Sequence, residues 1–230
     1  MKRLLNYFTL LEKCIWLSSV VLTVVSFCIF DREGFLTLIA SLLGVTSLIL
    51  CAKGNPLGQL LMVIFSILYG IISFSFGYYG EMITYLGMSG PMALLSLISW
   101  LKNPYNESKS EVKVNKLRLR EIIFMLVLSA FVTALFYLIL AYFNTANLLV
   151  STFSVTTSFI AVYLTFRRSP YYALVYALND VVLIILWTYA AFSDISYLSV
   201  IICFVVFLVN DLYGFSSWKR MQRRQSKCQN

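Results

Sequence analysis

The sequence predicts an all-α polytopic membrane protein with eight transmembrane helices. Its arrangement is 1 + (3 + 1 + 3): one extra helix, then two parallel three-helix repeats joined by a connector helix. Three observations carry this. The 230 residues are 60% hydrophobic and only 12% charged, with a mean hydropathy of +0.83, whereas a soluble domain carries roughly twice that charge fraction. Apolar runs near the length that crosses a bilayer, about 20 residues, recur along the chain between short polar turns. Finally, the second half of the chain repeats features of the first.

The first run, 15–30, has no small-residue cleavage site after it and enters another apolar segment at once, so it reads as a retained helix and not a signal peptide. Runs at 35–52, 57–77 and 82–101 follow, divided by DREG (31–34), KGNP (53–56) and YYGE (78–81). The one long connection, KNPYNESKSEVKVNKLRLR at 102–120, leads into span five at 121–143. FNTAN (143–147), RRSP (167–170) and SDIS (193–196) then mark off spans six to eight, at 147–166, 171–192 and 197–216.

The repeat is read from two pairs of landmarks. KGNPLGQLL (53–61) and RRSPYYALV (167–175) each place a basic residue three before a proline at the mouth of a helix, 114 residues apart. Trp100 with Lys102 ends span four, and Trp218 with Lys219 and Arg220 ends span eight, 118 residues apart. Spans two to four thus map onto spans six to eight. Four helices separate the start of one unit from the start of the other, so both start on the same side of the membrane and are related by an axis along its normal. The expected units are 1–34 for the extra helix, 35–101 for the first repeat and 102–143 for the linker and connector, then 144–221 for the second repeat and 222–230 for a basic tail.

Charge orients the chain. With the N-terminus in the cytoplasm, 17 of the 18 basic residues fall on the cytoplasmic side and only Arg32 lies outside, which is what the positive-inside rule requires. Both termini of this multi-pass plasma-membrane protein are then cytoplasmic. The net charge of +8 is explained by this topology and by anionic lipid headgroups, so no nucleic-acid partner is expected.

Several chemistries are excluded. Without a histidine there is no His-based acid–base or metal site. The five cysteines, Cys14, Cys28, Cys51, Cys203 and Cys228, form no C-x-x-C pair, which leaves neither a metal cluster nor a disulfide framework. No Walker A motif occurs. An enzyme is not indicated, and no cofactor is expected.

A charged side chain at a helix centre costs about 2.5–3.5 kcal/mol, so buried acids face the bundle interior and mark a pathway. Asp180 lies mid-span in span seven, and Tyr176, Asp180, Leu183 and Trp187 share one face, with Asn179 beside it. Two aromatics, an amide and a carboxylate suit a flat, hydroxyl-bearing small molecule. In span eight Asn210 and Tyr213 are expected to face the same site, while Asp211 is about 100° away and nearer the cytoplasmic end. In the first repeat Gln59, Met62, Ser66, Tyr69 and Ser73 make one face, with Ser66 equivalent to Asp180 and Ser73 to Trp187. Tyr85 in span four and Tyr163 in span six complete the candidate set. Glu81 is expected at the outer rim. Pro91 is read as a kink that lets span four bend, and Pro56 and Pro170 stand at the mouths of the equivalent helices. Gly214 is read as a close-packing position.

The segments YYGEM…Y…PMALLSLISW (78–100), SFIAVYLTFRR (158–168) and above all NDLYGFSSWKRM (210–221) resemble the PnuC family of bacterial vitamin transporters, best known for nicotinamide riboside. The resemblance covers roughly 35–221. It implies a SWEET-like fold and facilitated diffusion by alternating access, with trapping through phosphorylation by a cytoplasmic kinase and assembly as a homo-oligomer, a trimer. It also implies that aromatics sandwich the pyridine ring while Asp180, Asn179 and Asn210 hold the ribose and carboxamide. The chain departs from the riboside-type pattern at Tyr85, Tyr163 and Pro170-Tyr171-Tyr172. Those departures keep open thiamine, riboflavin or deoxynucleosides as substrates, and a proton-coupled exporter using Asp180 as a second mechanism.

Overall fold

The structure, a computed structural model, describes residues 7–30, 35–75, 79–105, 110–145 and 147–228. Among them are eight helices long and apolar enough to cross a membrane. These are α1 (Leu10–Phe30), α2 (Phe35–Ala52), α3 (Pro56–Ser75), α4 (Tyr79–Lys102), α5 (Leu119–Tyr142), α6 (Leu148–Phe166), α7 (Tyr172–Ala191) and α8 (Leu198–Lys227). The DREG turn, Tyr78 and the basic residues Lys2, Arg3, Arg32 and Lys109 lie outside the described residues. Every described Lys and Arg gathers at one end of the bundle, here called the basic end.

Helix boundaries follow local chemistry. α1 begins five residues before its predicted start because Thr9 and Glu12 form a capping box. The Thr9 N–H donates to the Glu12 carboxylate at 2.7 Å, and the Glu12 N–H to the Thr9 hydroxyl at 3.3 Å. α3 starts on Pro56 and α7 just after Pro170, where a missing N–H costs nothing. These two prolines therefore open helices and do not bend them. α4 is where a bend is built in. Its segment Thr84–Ser89 is π-helical, and the Gly90 N–H reaches back to the Tyr85 carbonyl just before Pro91. Such a widened turn is a local insertion that re-aims side chains and is common at functional sites. α8 runs well past the predicted end at 216. Its polar last turns are held by the 110–117 linker: Gln225 donates to the Val112 carbonyl at 3.0 Å and accepts from the Val114 N–H at 2.8 Å, and Arg224 pairs with Glu111.

The two repeats are visible as reciprocal bonds. The Trp100 indole N–H donates to the Thr165 carbonyl at 2.9 Å, and the Trp218 indole N–H to the Cys51 carbonyl at 2.8 Å. Cys51 and Thr165 are 114 residues apart, so each repeat gives its tryptophan to the equivalent helix end of the other. The turns beyond are also equivalent: Gly54 (φ 66°) and Arg168 (φ 57°) both take the left-handed conformation. The linker crosses between them, its Val112 and Asn115 N–H groups donating to the Gly54 and Arg168 carbonyls. The likeness extends beyond the repeats. Lys53 pairs with Glu12 of α1 at 3.0 Å, and Arg167 pairs with Glu121 of α5. The extra helix thus leans on the first repeat as the connector leans on the second.

The packed centre lies toward the basic end. Trp100 and Trp218 are fully buried with ring centroids 5.3 Å apart, and Tyr172 meets Trp218 edge-on at 5.0 Å. Large apolar side chains such as Phe131, Leu138 and Leu149 stay exposed on the outside, as a lipid-facing surface requires.

Candidate functional site

Above the Trp100–Trp218–Tyr172 cluster the helices part around an internal cavity of about 140 Å³. α7 supplies most of its chemistry. Tyr176, Asp180, Leu183 and Trp187, the face read from the sequence, all line it, as does Asn179. α3 adds Met62, Ser66 and Tyr69, α6 adds Ser154 and Ser158, and α8 adds Phe204, Phe207 and Asp211. The π-helical segment of α4 turns Thr84, Tyr85 and Ser89 toward the same space. A second cavity, of about 280 Å³, adjoins it between α1, α2, α3 and α8. Phe65, Tyr69, Glu81, Tyr85, Trp187, Phe204 and Phe207 line both. The first cavity reaches Thr145 and Ser151, and the second reaches Asp194 and Tyr197. Both therefore extend toward the end opposite the basic one.

Polar groups are held in place. The Asn179 side-chain carbonyl accepts from Thr157 at 2.7 Å and from Ser154 at 3.2 Å, which turns its amide face by anchoring it to α6. Asp180 and Asp211 are both buried, and their carboxyl groups are in hydrogen-bonding contact across α7 and α8. Asp180 Oδ2 is enclosed and receives no donor from the described residues. The Tyr69 hydroxyl lies beside the Glu81 carboxyl group, and the Tyr69 and Tyr85 ring centroids are 4.4 Å apart.

Five expectations need correction. Asn210 does not line either cavity: its amide donates to Ser19 of α1 at 2.9 Å and to the Val206 carbonyl at 2.8 Å. Tyr213 points to a groove at the basic end, where its hydroxyl donates to Glu12 at 2.9 Å. Asp211, read as off that face and nearer the cytoplasmic end, is the α8 residue that reaches the cavity, and its neighbour is Asp180. The α8 face is rotated by one residue because α1, which has no counterpart in the repeat, claims Asn210. Gln59 donates to the Cys51 sulfur at 3.1 Å and Tyr163 packs among Phe124, Phe159 and Phe166, both outside the cavity linings. Glu81, expected at the outer rim, stands in the first turn of α4 and lines both cavities. Its rarity was the available signal, since acids within spans are few.

Eight spanning helices around a polar, aromatic-walled cavity that is closed at one end define a membrane carrier of small molecules. Comparison with known proteins agrees. A family model described as "Nicotinamide mononucleotide transporter" matches residues 34–220, and the chain belongs to that transporter family. A relative named nicotinamide riboside transporter PnuC, from Neisseria mucosa (strain ATCC 25996 / DSM 4631 / NCTC 10774 / M26), is 24% identical over 202 residues, covering 86% of this chain and 77% of the relative. A solved structure described as a crystal structure of the vitamin B3 transporter PnuC superposes with a TM-score of 0.80 at 24% identity, over 95% of this chain and 94% of the other. The fold is therefore that of the solved transporter. The chain is a multi-pass membrane protein of a transporter family and not an enzyme.

Proposed function

We propose that this chain carries nicotinamide riboside into the cell by facilitated diffusion, alternating access to the central cavity between the two faces of the membrane. The relatives' names point to this substrate, and the cavity's chemistry is the observation that carries it. Trp187, Tyr176 and Tyr85 supply flat walls for a pyridine ring, and Asp180 and Asn179 supply partners for ribose hydroxyls and a carboxamide. Among the described residues no Lys or Arg lines the cavity, while Glu81, Asp180 and Asp211 do. A phosphate-bearing mononucleotide would meet carboxyl groups without a single cation to receive its charge. The riboside fits where the mononucleotide does not.

The same asymmetry gives trapping a physical basis. A carrier without a driving ion stops at equal concentrations, and phosphorylation by a cytoplasmic kinase turns the substrate into an anion that the cavity rejects. The orientation in this reading puts the basic end in the cytoplasm, so the Trp100–Trp218–Tyr172 cluster is the closed inner gate. Pro91 and the widened turn of α4 supply the flexible point, and assembly as a homotrimer follows the family resemblance. Uptake of labelled nicotinamide riboside into proteoliposomes tests the reading. Saturable, uncoupler-insensitive uptake is expected, with at least tenfold loss in Asp180→Ala and Trp187→Ala at unchanged insertion. Normal uptake in both variants refutes the site. A proton-coupled carrier is the second reading, favoured by the Asp180–Asp211 contact, and it predicts uptake that collapses with an uncoupler.

A further inference from the structure

We infer that Glu81 is the specificity-determining residue by which this carrier selects a positively charged aromatic ring over an uncharged one of the same shape. The inference rests on the carrier reading above and adds the class of substrate charge that it recognises. Glu81 faces both cavities at their junction, beside Tyr69, Tyr85 and Trp187. Anything passing between the cavities passes its carboxyl group.

The electrostatic surroundings of the four glutamates of the described helices and linker differ sharply. Glu12 pairs with Lys53, Glu111 with Arg224 and Glu121 with Arg167, all at the basic end. Among the described residues Glu81 has no ion-pair partner, and none that lines either cavity is a Lys or Arg. Its neighbour is the Tyr69 hydroxyl, a neutral group that does not cancel the carboxylate's charge. Asp180 and Asp211 use part of their acceptor capacity on each other, whereas Glu81 turns its remaining capacity to the open space. A carboxylate inside a membrane protein without a countercharge is costly, and a ring cation seated between Trp187 and Tyr85 supplies the missing charge. The faces of both rings attract the same cation. A neutral ring of equal shape gains the stacking but not the Coulomb term, which is strong at low dielectric.

The test compares two probes of one shape in proteoliposomes holding the full chain: nicotinamide riboside, a pyridinium cation, and its reduced dihydro form, which is neutral. Protein-free vesicles give the background. The wild type is expected to take up the cation in preference, and Glu81→Gln to lower the cation-to-neutral ratio of kcat/KM by about tenfold or more. Glu81→Asp keeps the charge and should retain most of the preference. Tyr69→Phe, which releases the carboxyl group, should lower the ratio by a smaller factor and serves as the test should Glu81→Gln fail to insert. An unchanged ratio in Glu81→Gln, or in Tyr69→Phe in that event, overturns the assignment. Wild-type uptake of neither probe refutes the carrier reading itself, whereas uptake of both without preference refutes only the role of Glu81.

Discussion

Replacing either tryptophan of the inner cluster by phenylalanine tests the two-fold organisation directly. In Trp218→Phe the indole N–H no longer reaches the Cys51 carbonyl, 2.8 Å away. That carbonyl keeps a second donor, the Gly54 N–H at 2.8 Å, so the loss is the net worth of one hydrogen bond, about 0.5–1.5 kcal/mol. The missing pyrrole portion leaves a void at a fully buried site, adding about 1 kcal/mol. Together these come to about 2 kcal/mol, which lowers Tm by roughly 4–8 °C for a chain of this size. Trp100→Phe should cost nearly the same, because Thr165 likewise keeps the Arg168 N–H at 2.9 Å. The rings touch, with centroids 5.3 Å apart, so the double variant should depart from additivity by about 0.5 kcal/mol or more. Thermal unfolding in detergent, followed by a thiol-reactive dye on the buried Cys51, measures all three. Shifts below about 1 °C, or strict additivity, would refute the reasoning.

Two further outcomes follow from packing. Gly58→Ala should destabilise by about 1–3 kcal/mol, because a Cβ there would come within 2.6 Å of the Cys51 sulfur and 2.9 Å of the Ser47 carbonyl. Gly214→Ala, where the nearest atom is 3.5 Å away, should stay within about 0.5 kcal/mol, and parallel melting curves distinguish the two. Asn210→Ala should destabilise by about 1–3 kcal/mol and so lower Tm, through its lost bonds to Ser19 and Val206, while the KM for riboside uptake stays unchanged. A raised KM with unchanged Tm would return Asn210 to the substrate site.

The helices, their number and the parallel repeat were legible in the sequence, because a bilayer imposes one length and one polarity on every span, and this signal is local. The α7 face was legible for the same reason: Tyr176, Asp180, Leu183 and Trp187 recur at helical spacing. Which neighbour each face meets was not. Asn210 and Asp211 differ by one residue, and only the packing of α1 against α8, through Ser19, decides which of them turns to the cavity. Glu81 stands in the first turn of α4, and that it lines two cavities depends on several helices meeting at once. Rotation of a helix about its own axis and the meeting of distant side chains are set by contacts far apart in the chain, and such contacts leave no periodic trace in either segment alone. Composition and spacing determined what crosses the membrane and how often. Tertiary packing decided that three carboxyl groups face one cavity, with no Lys or Arg beside them among the described residues.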